Sequence, residues 1–364
     1  MSRPALRILV VDDSTVYRKV VRDVLKQLPN VEVVGVAADG KIALEKLAQL
    51  RPDLVTLDLE MPGLDGLGVL RELRRQSHPP GAIMLSAFTS GGAQATTAAL
   101  RLGAFDFVLK PTCSSVNESL DQLRSELLPK VRAFAWSREA KQAGPSSRAR
   151  LESPTSSAPA PRSTSLPARK PRVVALGVST GGPVALHHLL PKLPGHFRVP
   201  VLIVQHMPPM FTRSLADDLD KLCQLSVSEA SDGDHVSPGR ILIAPGGKQM
   251  RVEQNGTSVV IRVTDDPPEN NCRPSVDYLF RSVAQTYGQR ALGVIMTGMG
   301  DDGTEGCRLL NRSGAAILAQ DETSCVVYGM PKKPIEEGLA VAIPLDKLAG
   351  QLMDRVSMEV AACR

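Results

Sequence analysis

Residues 173–183 read VVALGVSTGGP, an apolar run that stops on Ser179 among glycines and a threonine. Gly177, Ser179 and Gly181 satisfy the G-x-S-x-G spacing of a strand-turn-helix elbow. There, glycines allow a sharp turn and the amides that open the helix can face a developing oxyanion. Two readings stand side by side: the Ser179 hydroxyl caps the next helix, or it attacks a carbonyl carbon. A nucleophilic serine needs a base. Of the six histidines, His78 belongs to the other half of the chain, and His187 and His188 fall inside a helical pattern. His196 follows a Pro-Gly loop start and His235 sits in a polar turn. Only His206 ends a buried strand, VPVLIVQ, where neighbouring strand ends in one sheet would bring it to Ser179. A carboxylate is available in GVIMTGMGDDGTEG, where Asp301 and Asp302 follow a further strand. One of them orients the imidazole, or they serve as acids at a helix N-terminus.

A second set of residues suits a different reaction. Asp12 and Asp13 end one strand pattern, Asp58 another, Ser86 a third, and Lys110, followed by Pro111, a fourth. Carboxylates converging on one sheet edge repel each other unless a hard dication lies among them, and oxygen ligands with room for water suit Mg²⁺. A lysine and a hydroxyl beside them can pair with phosphoryl oxygens. Such a site accepts a phosphoryl group on a carboxylate. The plain alternative is a set of strand-end aspartates that solvate loops.

The elements that must position these groups are of α/β type. Strand patterns at 7–12, 31–37, 54–58, 82–86 and 105–110 alternate with helical stretches such as Thr15 to Leu28, Gly66 to Arg75 and Val116 to Arg132. They predict a five-stranded, doubly wound parallel sheet over residues 1–136. Residues 137–170 are rich in Ser, Pro, Ala and Arg without apolar periodicity, which predicts a flexible linker. From 171 to 364 the alternation resumes as a second α/β, Rossmann-like domain with a mainly parallel sheet, interrupted near 225–265 by short strands and glycine turns. The low aromatic content, 3%, puts the cores on Val, Leu, Ile and Ala.

Composition excludes several functions. The formal charge of +5 equals the excess of basic over acidic residues within 137–170, so the remaining chain is neutral and no base-reading element stands out. This speaks against nucleic acid and against a transcriptional regulator. No apolar run reaches the roughly 18 residues of a membrane span, and the N-terminus meets aspartates too early for a secretory signal. Six cysteines without a CxxC pair read as reduced thiols in a cytoplasmic protein.

Over about residues 5–130 the chain resembles the receiver domain of bacterial response regulators. The resemblance implies phosphorylation at Asp58, Mg²⁺ held by Asp12, Asp13, Asp58 and the main-chain carbonyl of Glu60, a phosphoryl group read by Ser86 and Lys110, and an aromatic switch at Phe107. GVSTGGP, VQHMP and MTGMGDDG, downstream of a receiver with LDLEMPGLDGL, together resemble the chemotaxis protein-glutamate methylesterase family. That resemblance covers the chain apart from the linker. It implies hydrolysis of glutamate methyl esters and deamidation of glutamines on chemoreceptors, with Ser179 as nucleophile, His206 as base and Asp302 as acid. Thr180 and the amide of Met299 would support the oxyanion, and no cofactor is expected in the catalytic domain. The implied partners are methyl-accepting chemoreceptors and a chemotaxis histidine kinase. The resemblance also implies that phosphorylation relieves a cover over the catalytic cleft. The rival from another class is a receptor-binding adaptor with a dead α/β module, which has no need of all three of Ser179, His206 and Asp302.

Overall fold

The β-branched apolar runs become the strands of two separate parallel sheets. A computed structural model describes residues 4–111, 116–142 and 170–357. The chain divides into two compact units that meet in sequence at Gly144 and Pro145.

The first unit runs β1 (Leu6–Val11), α1 (Thr15–Leu25), β2 (Val31–Ala37), α2 (Gly40–Leu50), β3 (Leu54–Asp58), α3 (Gly66–Arg74), β4 (Gly81–Ser86), α4 (Ser90–Arg101), β5 (Asp106–Leu109) and α5 (Val116–Gln142). Its strands order as β2-β1-β3-β4-β5, and every pairing is parallel. The helices begin where side chains cap them. Ser14, Asp39, Asp65 and Thr89 each accept the N–H three residues on, at 2.7–3.4 Å. The chain reverses its winding direction between β1 and β3. In open α/β sheets that reversal opens a crevice beyond the strand ends. Asp12, Asp13 and Asp58 lie there.

Helix α5 continues ten residues past the expected end at Arg132, so residues 137–142, read from sequence as the start of the linker, are helical. The extension is anchored to the sheet. Phe134 fills the space that a Cβ at Gly81 would need, Ser137 is buried, and Arg138 pairs with Asp53 at 2.8 Å. A Ser/Pro/Arg-rich composition hid this extension, because the contacts to Gly81 and Asp53 are made far away in sequence. Residues 143–169, the rest of that segment, lie outside the described residues.

The second unit runs β6 (Val173–Val178), α6 (Gly182–Leu189), β7 (Val201–Gln205), α7 (Phe211–Asp220), β8 (Ser226–Glu229), β9 (Arg240–Ile243), β10 (Gln249–Asn255), β11 (Ser258–Thr264), α8 (Val276–Tyr287), β12 (Ala291–Ile295), α9 (Thr304–Arg312), β13 (Ala316–Gln320), α10 (Lys332–Glu336), β14 (Val341–Ile343) and α11 (Leu345–Ser357). Seven strands form one parallel sheet in the order β14-β13-β12-β6-β7-β9-β8, and β10 and β11 form a separate antiparallel ribbon. Strands β6, β7 and β12 are fully buried, as expected of a parallel sheet covered on both faces. One core joins them to the inner faces of α8 and the ribbon through Val276, Phe280, Val283, Met250 and Ile261. Here the winding direction reverses between β6 and β12, which again places the crevice beyond the carboxyl ends of the central strands.

The turn from β6 into α6 depends on Gly181. Its φ is +78°, and a Cβ there would stand 2.5 Å from Cβ of Val326. Gly181→Ala is expected to cost the second unit about 2–4 kcal/mol, from the left-handed conformation plus overpacking. Calorimetric or urea unfolding should show a lowered transition for that unit and an unmoved one for the first. An unchanged transition would mean that the turn relaxes around the methyl.

Candidate active site and phosphoacceptor site

Ser179 follows β6, His206 follows β7, and Asp302 lies in the loop after β12, so the three sit at adjacent ends of the second sheet. The ladders run on past the strands and fix the backbone. Ser179 N–H donates to Thr297 O at 3.0 Å, and His206 N–H donates to Val178 O at 3.1 Å. The Ser179 carbonyl accepts from Gln205 Nε2 at 3.0 Å and from Gly182 N–H at 2.8 Å. Thr297 locks the neighbouring turn, its Oγ1 donating to Thr180 O at 2.9 Å and accepting from Val327 N–H at 3.0 Å.

The capping alternative for Ser179 is not what the chain does. Gly181 occupies the N-cap of α6 and no side chain caps that helix. The Ser179 hydroxyl makes no hydrogen bond among the described residues. It stands half-buried, beside Gly298, where a Cβ would come within 2.8 Å of the serine Cβ.

The imidazole of His206 is committed on one side. Its Nε2 lies 2.8 Å from Oδ2 of Asp302. A carboxylate there assigns the proton to Nε2 and leaves the Nδ1 lone pair free. Nδ1 faces Sγ of Cys272 at 3.7 Å. Burial disfavours the imidazolium, but the hydrogen bonds and charges of Asp302 and Cys272 outweigh it, and the pKa is raised to about 9.

Asp302 and its neighbour separate cleanly. The Asp301 side chain is 62% exposed and pairs with Lys333 at 3.3 Å, whereas Asp302 is 3% exposed. Beyond His206, Asp302 accepts from the N–H of Val276 at 2.7 Å and of Asp277 at 3.2 Å, from Ser275 Oγ at 2.8 Å, and from Asn270 Nδ2 at 3.1 Å. Val276 and Asp277 open α8, so the carboxylate sits at the positive end of a helix other than the one that follows it in sequence. Burial would raise its pKa. The His206 contact, the Val276 amide and Asn270 hold it down at about 2.

Thr180 is buried in the turn after the serine. Met299 is 40% exposed in the Gly298–Gly300 turn, and its N–H has no hydrogen bond among the described residues. Sequence reasoning missed Asn270, Cys272 and Ser275. All three lie in PPENNCRPSVD, where a pair of asparagines before a proline was the only available signal, and it marked a turn rather than a site.

In the first unit, Lys110 Nζ bridges Oδ2 of Asp12 at 2.9 Å and Oδ2 of Asp58 at 2.7 Å. The other oxygens are held by the chain. Asp12 Oδ1 accepts from Ser14 N–H at 2.8 Å and Asp58 Oδ1 from Glu60 N–H at 3.3 Å. Burial pushes the Asp58 carboxyl up to about 6 against the opposing pull of Lys110. Both Oδ2 atoms are buried without an aligned hydrogen bond among the described residues, and the ammonium meets them as an ion pair. With exposed Asp13, one oxygen from each carboxylate falls within 4.8 Å of the others, an oxygen cluster suited to a hard dication. Ser86 is fully buried. Its hydroxyl accepts from Thr96 Oγ1 at 2.8 Å and donates to Gly92 O at 3.3 Å. Phe107 is also buried, with Lys130 Nζ 5.0 Å from its ring centroid. The acids and Lys110 are therefore assembled, whereas Ser86 and Phe107 are engaged elsewhere.

Comparison with known proteins places both units. The CheB methylesterase family model matches residues 174–352, and the response regulator receiver domain model matches residues 8–120. A protein-glutamate methylesterase/protein-glutamine glutaminase of Desulfotalea psychrophila is 48% identical over 366 residues, covering 97% of this chain and 99% of its own. One from Trichodesmium erythraeum is 44% identical over 355 residues, with 97% and 99% covered. The crystal structure of the Thermotoga maritima CheB methylesterase catalytic domain is 41% identical with a TM-score of 0.50, and the match covers 50% of this chain and 98% of that one. The relatives match along almost the whole length, receiver and catalytic sheet alike, and the chain belongs to the CheB family of protein-glutamate methylesterases/protein-glutamine glutaminases.

Proposed function

We propose that the chain is a phosphorylation-activated serine hydrolase that removes methyl from glutamate methyl esters on chemoreceptors, and deamidates receptor glutamines, in bacterial chemotaxis. The observation that carries this reading is the His206 imidazole, fixed through Nε2 by a buried carboxylate and left with a basic Nδ1 at the sheet edge that bears Ser179.

In this reading Ser179 Oγ attacks the γ-carbonyl carbon of a methylated glutamate while its proton passes to His206 Nδ1. Nδ1 faces Cys272 in the described conformation, so the hydroxyl and ring turn to each other as the ester enters. Asp302, ionised at the head of α8, balances the imidazolium. The free N–H of Met299, with Thr180, meets the oxyanion, and one such donor is worth about 3 kcal/mol of barrier. The imidazolium returns its proton to the departing methoxide, methanol leaves, and water attacks the acyl-enzyme by the same route. A glutamine loses ammonia instead.

Asp58 is the phosphoacceptor, and Lys110, paired with Asp12 and Asp58 beforehand, turns to the incoming phosphoryl oxygens. Mg²⁺ held by Asp12, Asp13, Asp58 and the Glu60 carbonyl would offset the negative charge gathered there. Ser86 and Phe107 change partners when the phosphoryl group arrives, and this shift loosens the restraint that the receiver places on the hydrolase. The phosphodonor is a chemotaxis histidine kinase. Four free thiols among the described residues favour a reducing compartment, and the reading places the chain in the cytoplasm. No described helix is long and apolar enough to cross a membrane.

Methanol release from methylated receptor tests these roles. Ser179→Ala should abolish it, and Asp302→Asn should lower it by about 10⁴-fold, while Asp301→Asn should change it little. Asp58→Asn should leave the basal rate and remove its stimulation by a small phosphodonor. A Ser179→Ala chain that still releases methanol would sink the hydrolase and favour the adaptor.

The pH profile follows from His206. The base works unprotonated, and its pKa is raised to about 9, so kcat/KM should climb with pH until about 9 and then level. Asp302→Asn removes the main partner of the charged ring, and the residual activity should level at a lower pH. A profile flat from pH 6 upward would show that the imidazole is neutral in the free enzyme.

A further inference from the structure

We propose that Cys272 and His206 form a binding site for zinc or a similar thiophilic dication, and that this metal silences the hydrolase. The thiol is held in place by its loop. Asn270 and Asn271 have φ of 51° and 58°, and the backbones of Glu269 and Cys272 bond reciprocally at 2.7 and 3.1 Å. Two consecutive left-handed residues closed in this way make a tight I′-type turn with Cys272 as its last residue. Asn270 anchors the turn from inside, donating to Asp277 Oδ2 at 2.7 Å and Asp302 Oδ1 at 3.1 Å. The carboxylate that positions the imidazole therefore also positions the loop that presents the sulfur.

The separation that lets the thiol and imidazole hydrogen-bond also matches the span of a shared metal. Sγ and Nδ1 are 3.7 Å apart. A tetrahedral zinc ion, with bonds of about 2.3 Å to sulfur and about 2.1 Å to nitrogen, spans a ligand pair about 3.6 Å apart. Asp302 at Nε2 supplies the rest of a carboxylate–histidine–metal arrangement, holding the ring and leaving the Nδ1 lone pair to face the sulfur. Ligand-type atoms of His206, Cys272 and Asp302 all fall within 4.8 Å of one another. With two direct protein ligands, the remaining coordination positions go to water, which suits a reversible inhibitor better than a structural ion.

The other described cysteines do not compete. Burial pushes the thiols of Cys307 and Cys325 far above their ordinary range, and Cys223 is pushed up to about 11 by burial and by Asp220. Cys272 is half-buried, and its thiol is the one set against an imidazole. On binding, the thiol and, below about pH 9, the imidazolium Nδ1–H each release a proton to solvent, sulfur and Nδ1 each donate a lone pair, and no redox step is needed. The binding claim rests on these two atoms. The silencing rests on Nδ1 being the base for Ser179, as proposed above, since a metalated nitrogen cannot take its proton.

The full chain, in excess Mg²⁺ to fill the receiver cluster, is titrated with Co²⁺ and followed by absorption. A thiolate-to-cobalt charge-transfer band is expected in the wild type and is expected to be lost in Cys272→Ala and Cys272→Ser, with circular dichroism checking that both fold. Zn²⁺ should inhibit methanol release. The half-inhibiting concentration should rise by more than about tenfold in either variant, since even outer partners of a metal site are worth 10–100-fold in affinity. Absence of the band in the wild type, or its persistence in both variants, would overturn the metal site whatever the fate of the hydrolase reading. A cysteine-dependent band with undiminished methanol release would overturn the silencing and remove Nδ1 from the base role.

Discussion

A single buried carboxylate organises the second unit. Asp302 is removed from water and ionised, a state that would be prohibitively costly without compensation. It is compensated by five donors from four sources: the first turn of α8, the Ser275 hydroxyl, the Asn270 amide and the imidazole of His206. The ring, the start of α8 and the Asn-Asn turn are therefore set by one charge. Four of these donors come from outside the imidazole and oppose the effect of burial, which suits the acid of the proposed mechanism, where a transient imidazolium must be steadied without losing its proton.

Much of this was legible in the sequence. The strand and helix alternation appears where the β-branched runs and caps put it, with strand ends shifted by a residue or two. Ser179, His206 and the Asp301–Asp302 pair were identifiable because each ends or follows a strand of one parallel sheet, and such sheets gather function at that edge. Local pattern could not separate the two aspartates. What separates them is the amide-bearing end of α8, which lies 25 residues earlier in the chain and reaches Asp302 only in three dimensions. The same limit hid Asn270, Cys272 and Ser275, and it ended α5 too soon, since Arg138 is held by Asp53 across the receiver sheet.

The two units solve opposite electrostatic problems at the same topological position. In the first, carboxylates crowd beyond β1 and β3 around one lysine, and burial raises the Asp58 pKa against the pull of that single ammonium. In the second, one carboxylate is so well served, by the imidazole first and by the Val276 amide and Asn270 after it, that its pKa falls to about 2 despite burial. The first arrangement is poised to gain a ligand and rearrange. The second carboxylate is held from several sides at once, as the proposed mechanism requires of a fixed charge.

The dual duty of Asp302 bears on how this fold can decay. On the proposed mechanism, a descendant that lost Ser179 would forfeit its chemistry at little structural cost, because the hydroxyl makes no hydrogen bond among the described residues. Loss of Asp302 would strip the opening amides of a core helix, so folding alone would preserve it. In a diverged homologue the aspartate is therefore a relic of architecture, and the serine is the informative marker of a working enzyme.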